Sequence, residues 1–552
     1  MTTSGARATD GCDGLGGGNE GEGDEVSGNS TLAAAARAEA APRGAACLGL
    51  FACVGSIALF AVQALAARRL ELTFDEAYYT LWSRSLSFGY LDHPPMVALL
   101  IRASTLLFGG DEFGVRALSL LAVGAMPALV AFIAWRLFDS AEKAALAALM
   151  WIAMPLVTIG AVFVTPDAPL VLFWTLGLAA LVELWRTGEK RWSIALGLML
   201  GLALQSKFTA AFFAAGVGLA LIMTPTLRRW LVSPALFAAL AVALAIFAPF
   251  VAWNAEHGWA TFAKQLGRAS PNGFSPFFLA EFLVAQIGLL NPLVFAALIP
   301  AVFSIPWRAP IAAGARDEAR RILACTIAPT AVYFLLHSLH DRVEGNWLAP
   351  LYPAAAILVA DWVAETRSKC VSGPAATIAK ASLWAAPIGL VIAALTFAEA
   401  MTGAVPLGPV DPFARLEGFR ALARDLDSRA RGENAAYVLT QGYALTSLMA
   451  YYGNPAIKVV QPEQRMRWIF EPEPSETLFG APGLALGEPG RRFDLILKMR
   501  YRDVEPAGLL QRLQAGGTVE AYELYRVADP YAPVLDPVCP RGEVNLQRQC
   551  SS

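Results

Sequence analysis

The chain runs to 552 residues, 56% hydrophobic and only 16% charged, with a mean hydropathy of +0.49. Soluble globular chains carry about 25% charged residues, so neither an ordinary single-core enzyme nor a disordered scaffold fits. Forty-three basic residues against 45 acidic ones leave a net charge of -2, which offers no field for nucleic acid. The composition is that of an integral membrane protein.

Residues 1–43 are rich in Gly, Glu, Asp and Ser around Gly16-Gly17-Gly18, bury almost nothing, and predict a disordered tail. The apolar run Ala45 to Ala67 is longer than a signal-peptide core and lacks a cleavage pattern after it, so it reads as a retained span. Further spans are expected at 115–136, 143–163, 168–185, 192–206, 208–224, 232–253, 281–306, 321–338, 347–365 and 380–400, eleven in all. With the N-terminus placed in the cytoplasm, the inner segments collect sixteen Lys and Arg and the outer ones nine, the bias that topology rules demand. An odd number of spans then puts the C-terminus outside.

Two outer segments are long, 67–114 and 254–280. In the first, Ala77 to Trp82 and Met96 to Phe108 carry apolar residues at helical spacing and predict amphipathic helices lying along the interface. Past 408 the chain turns charged and Pro-punctuated. Residues 411–552 read as a small α/β domain outside the membrane, with strands expected at Ala436–Thr440 and Phe493–Leu497. The seven cysteines (12, 47, 53, 325, 370, 539, 550) form no metal-type pair, although Cys539 and Cys550 could join in an oxidising compartment.

The polar residues collect on one side. The first outer segment holds Phe74-Asp75-Glu76-Ala77-Tyr78-Tyr79 and Gly89-Tyr90-Leu91-Asp92-His93-Pro94-Pro95. Later come Thr165-Pro166-Asp167-Ala168-Pro169, Ser206-Lys207-Phe208-Thr209, Trp253-Asn254-Ala255-Glu256-His257-Gly258-Trp259 with Arg268 beyond, and His340-Asp341-Arg342-Val343-Glu344-Gly345-Asn346-Trp347. Ionisable groups at the rim of a bilayer core are expensive unless they face a wet cavity or one another, so such a set marks a functional site. Each residue also has a plainer reading. Loops are polar because they are wet, Asp75 is a good helix N-cap, and Lys207, Arg268 and Arg342 are placed to snorkel.

In order and combination these motifs resemble the bacterial branch of the protein mannosyltransferase-like glycosyltransferases, which includes the lipid A aminoarabinose transferase and lipopolysaccharide-core transferases. The resemblance covers roughly residues 45–365. It implies the GT-C fold, an all-α multi-spanning bundle of about 11 helices with interfacial helices in the first outer loop, here followed by the small α/β domain. It further implies a periplasmic active site in a bacterial inner-membrane protein, a polyprenyl-phosphate sugar donor, and a lipid, glycan or protein acceptor. By the same resemblance Asp75 activates the acceptor with inversion at the sugar, and Glu76 beside it is the second catalytic candidate, with a structural or electrostatic role as its other reading. Lys207, Arg268, Arg342 and His93 are the candidate donor-phosphate contacts, and Asp167, Tyr78 and Asn346 the candidate substrate contacts. Asp92 and His257 stand where the lipid A transferase holds a metal, so a divalent cation is a further candidate. His93 replaces that enzyme's lysine, which weakens any claim to the same sugar.

Two other readings remain open on the residues alone. A flippase for a lipid-linked sugar would share the interfacial helices, but such transporters place polar groups near the bilayer midplane and show repeated halves. A receptor anchored by its helices has no need of eleven spans.

Overall fold

The computed structural model describes residues 25–269, 273–307, 314–369, 372–404, 416–514 and 517–538. The expected tail up to residue 24 and the Cys539–Cys550 pairing fall outside them. Four helices open the described chain: α1 (Glu25–Arg69), α2 (Phe74–Arg84), α3 (Met96–Phe108) and α4 (Glu112–Phe138). The first span extends back into a helix that begins at Glu25, within the segment expected to be disordered.

Among the described residues seven helices are long and apolar enough to cross a membrane, and the number rises to ten when each of three bent pairs is counted as one span. Two expected spans, 143–163 and 281–306, are broken within their bounds, turning by 70° and 105° at Pro155 and Pro292. The one at 208–224 is the unbroken helix Ala210–Met223, after which the chain turns by 114° at Pro225. Proline removes an amide donor and clashes with the preceding turn. The freed polar groups must be satisfied internally in lipid. Asn291, at φ 73°, does this for two elements: its Oδ1 caps Leu293, and its Nδ2 donates to the carbonyls of Ala153 (3.1 Å) and Ala385 (3.2 Å). The eleventh expected span is the 17-residue helix Lys190–Ser206, about 26 Å long and so shorter than a full crossing. It lies against the helix Pro234–Glu256 so closely that a Cβ on Gly197 would sit 2.2 Å from the Ala239 carbonyl oxygen. Small residues at such seams let helix backbones touch, the chief packing force within lipid.

The helices α4 and Asp167–Thr187 begin at the end of the bundle that carries Asp75, and they finish in a different charge network. There the fully buried Asp361 binds Lys143 (2.8 Å) and Arg316 (2.9 Å).

The C-terminal domain carries a five-stranded sheet in the order β2-β1-β3-β5-β4, built from β1 (Tyr437–Thr440), β2 (Lys458–Val460), β3 (Gly483–Gly487), β4 (Tyr501–Gln514) and β5 (Gly517–Pro530). β1 runs parallel to both β2 and β3, while β5 is antiparallel to β3 and β4. The expected strand at 436–440 is β1. The one expected at 493–497 is instead the short helix Phe493–Lys498, which buries Phe493 and Leu497 and leaves Leu495 exposed, the spacing of a helical turn and not of a strand.

Candidate active site

The chain leaves the membrane at the end of α1 and re-enters helix at once. Thr73 is the N-cap of α2, and its hydroxyl accepts from the Glu76 amide while the Glu76 carboxylate accepts from the Thr73 amide, a reciprocal capping box. Glu76 is fully buried. Its two oxygens take Arg116 Nε and Nη2 of α4, each at 2.7 Å, and Oε1 also takes the Val164 amide at 2.9 Å. Arg116 donates further to the carbonyls of Ala67, Leu70 and Glu71. Glu76 is therefore a structural hub with no oxygen left for a substrate. Of its two readings the structural one holds, and its place as a catalytic candidate is corrected.

That hub fixes Asp75, the neighbouring residue on the first turn of α2. Its carboxylate is half-buried and accepts one hydrogen bond, from the Tyr443 hydroxyl at 3.2 Å. Burial pushes its pKa up to about 6, with the negative charges of Asp92 and Glu76 adding to the rise and Tyr443 and Arg467 opposing it. A carboxyl titrating near neutrality suits proton transfer.

Asp92 lies beside it, buried. Its Oδ1 meets Lys264 Nζ at 2.7 Å, and its Oδ2 meets Arg467 Nη1 at 2.9 Å and the Tyr78 hydroxyl at 3.2 Å. Burial works against ionisation, yet Arg467, Lys264 and His93 together hold this carboxyl well below the usual range. Tyr78 also donates to the Arg467 carbonyl and lies among the rings of Trp82, Tyr443 and Trp468, so it is a buried bracing residue and not an exposed substrate contact. His93 lies edge-on to Tyr79, with ring centroids 6.2 Å apart. The Gly89 that opens this motif has a steric reason: a Cβ there would come within 2.5 Å of the Trp253 ring.

A second cluster forms at the start of the helix Asp167–Thr187. Asp167 binds Lys207 Nζ at 2.7 Å through one oxygen and Asn346 Nδ2 at 2.6 Å through the other. Three residues predicted from separate motifs thus meet. Val164, held by Glu76, is three residues before Asp167, so this cluster is tied to α2 by a tether of at most about 11 Å. Arg342 is not part of it: the side chain is 60% exposed and pairs with Glu281 at 3.0 Å on the surface. The helix Ala260–Ala269 includes Arg268, whose side chain lies outside the described residues.

The metal pair does not fit as arranged. Both Asp92 oxygens already face cations, and the His257 ring stacks on Trp253 with its Nδ1 2.7 Å from that residue's carbonyl oxygen. Among the described residues no group of three His, Cys, Asp or Glu side chains could hold a metal ion.

Sequence reasoning missed the residues that close the site from the far end of the chain. Glu71 accepts the amides of Phe419 (2.8 Å) and Arg420 (3.3 Å), capping the helix Phe419–Gly432. Glu112 receives Arg420 and the Tyr452 hydroxyl, and Ala77 sinks into the apolar core of the C-terminal domain. Tyr443 and Arg467 follow from this docking, with the guanidinium 4.4 Å above the tyrosine ring. The aromatic run from Tyr443 to Phe470 was the available signal, but nothing in it points to a partner more than 300 residues away.

Residues 92–253 match the family model described as dolichyl-phosphate-mannose-protein mannosyltransferase. The lipid A galacturonosyltransferase RgtD of Rhizobium johnstonii is 29% identical over 287 residues, covering 51% of this chain and 59% of that protein. Two crystal structures of ArnT from Cupriavidus metallidurans, one bound to undecaprenyl phosphate and one in the apo state, superpose with TM-scores of 0.60 and 0.59 at 16% identity. Each alignment covers 88% of this chain and 98% or 100% of the ArnT chain. The chain therefore has the ArnT-like GT-C fold that its motifs imply, including the small sheet domain at its C-terminal end.

Proposed function

We propose that the chain is a membrane glycosyltransferase that moves a sugar from a polyprenyl-phosphate donor to an acceptor at the outer face of the bacterial inner membrane. The observation that carries this reading is Asp75. It is a half-buried carboxyl with a pKa near 6 at the membrane-edge turn of α2, flanked by one cluster holding Lys207 and another holding Lys264 and Arg467. The RgtD likeness, which spans 59% of that relative, favours a lipid A-type acceptor over a protein or a cell-wall glycan.

In this mechanism Asp75 takes the proton of the acceptor hydroxyl as its oxygen bonds to the anomeric carbon. The carbon–oxygen bond to phosphate breaks on the opposite face, so configuration inverts. The leaving polyprenyl phosphate keeps the electron pair, and nearby cations stabilise its growing charge. Lys207 is the motif-derived cation assigned to this task, with Asp167 and Asn346 fixing its position. Transfer of labelled sugar by the purified chain, from a defined polyprenyl-phosphate sugar and without a membrane gradient, tests the reading and separates it from a flippase. A chain that carries lipid-linked sugar across vesicles and forms no glycosidic bond overturns it.

A further inference from the structure

Between α2 and the C-terminal domain lies a cavity of about 170 Å³, distinct in its residues from both clusters described above. Arg84 of α2 and Lys458, Arg465, Gln461 and Trp468 of the C-terminal domain contribute to its walls. Glu471 is the one carboxylate among the described lining residues, and it pairs with Lys458 at 2.8 Å. The lining therefore carries Arg84, exposed and 5.5 Å from the Tyr451 ring centroid, and Arg465 with no carboxylate of its own to pair them, Arg465 reaching only Glu473 outside the wall.

Arg465 is the unusual member. Its side chain is only 6% exposed, Nη1 donates to the Gln461 carbonyl at 2.9 Å, and Nε has no hydrogen-bond acceptor. Its charge is met by a long ion pair alone, from Nε to the Glu473 carboxylate at 3.7 Å, and that carboxylate is 55% exposed. A buried guanidinium short of acceptors is costly, and an oxyanion is the ligand whose geometry relieves it. The position is also informative. Trp468 lines the cavity and packs edge-on against Tyr78 at 5.6 Å, and Leu81, another wall residue, is about 9 Å along α2 from Asp75. Arg467, two residues from Arg465, reaches Asp92.

We propose that this cavity binds an oxyanion, phosphate or carboxylate, carried by a lipid acceptor, so that one face of the acceptor is anchored at Arg465 while its reacting hydroxyl is offered to Asp75. The acceptor role rests on the glycosyltransferase reading; the anion site itself does not.

Calorimetric titration of the full-length protein in detergent tests it, using inorganic phosphate, glucuronate, and micelles of lipid A with and without its phosphates. The expected result is binding of at least one oxyanion, weakened about tenfold or more by Arg465→Gln. Arg84→Ala, at an exposed position where folding is not at stake, weakens it as well. Tighter binding of the phosphorylated lipid than of free phosphate, lost when the lipid is stripped, supports a membrane acceptor. Equal affinity for the free ion and the lipid assigns the cavity to a soluble anion and overturns the acceptor role. No binding of either oxyanion, or affinities unchanged in both variants, overturns the site altogether. Because binding is read without turnover, a chain that binds phosphate through Arg465 but transfers no sugar refutes the glycosyltransferase reading alone.

Discussion

Replacing Asp75 with Asn should remove activity while making the protein more stable at alkaline pH. In the folded chain this carboxyl is raised from 3.8 to about 6, chiefly by burial. At about 1.36 kcal/mol per pKa unit, the folded state holds up to about 3 kcal/mol against the ionised form. A carboxyl raised by folding stabilises the protein fully below its unfolded value and loses that contribution as pH climbs through its folded value. At about pH 8 the wild type therefore bears the whole penalty. Asn has the same shape, keeps an oxygen for the Tyr443 hydroxyl and carries no charge. Its advantage is largest at about pH 8, shrinks through about pH 6 and is gone near pH 4. Transfer, by contrast, falls by about 10²- to 10⁴-fold with the loss of the base. Thermal unfolding of the detergent-solubilised protein across this pH range, run beside a labelled-sugar assay, measures both. Wild-type turnover in the variant, or a variant less stable than the parent at alkaline pH, would refute the assignment.

Glu76→Ala strands Arg116 in a fully buried position, which costs about 3–5 kcal/mol; the readout is lost yield of folded protein by size exclusion, whereas a normal yield with slow turnover would restore Glu76 to a direct catalytic role. Tyr443→Phe deletes a hydrogen bond to the ionised form of Asp75, so the acid limb of kcat/KM, expected near pH 6 in the wild type, moves to higher pH. A limb that stays in place means Tyr443 does not act through Asp75. Lys207→Gln separates Asp167 from its cation and should raise the KM for the polyprenyl-phosphate donor by about tenfold while sparing that for the acceptor. An equal rise in both constants points to general disruption of the cluster.

Much of the membrane half was legible because lipid imposes strict demands on composition. Apolar length located the spans, and helical spacing located α2 and α3. α3 sorts its side chains by face, burying Val97, Ala98, Ile101 and Ser104, whereas α2 is buried on all sides from Glu76 to Ser83 and is not the amphipathic interfacial helix expected. The convergence of Asp167, Lys207 and Asn346 could be anticipated for the same reason: polar residues at a bilayer rim need one another. Hydropathy averaged over a window does not register where a span breaks, so Asn291-Pro292 was read through as continuous helix. Phe493-Asp494-Leu495-Ile496-Leu497 was too short to tell a strand from a helical turn. The catalytic and structural roles of Asp75 and Glu76 were hard to separate because adjacent residues differ only in which way they face. That difference is set by Arg116, 40 positions along the chain.

The bond between Tyr443 and Asp75 joins residues 368 positions apart. During synthesis α2 emerges early, yet its reactive carboxyl lacks this partner until the helix that carries Tyr443 has been made and docked. Val164 must likewise be in place before Glu76 can be satisfied. The order of translation thus delays assembly of the reaction centre until the sheet domain carrying Tyr443 has been made, and a chain that stops short of it leaves Asp75 without this partner.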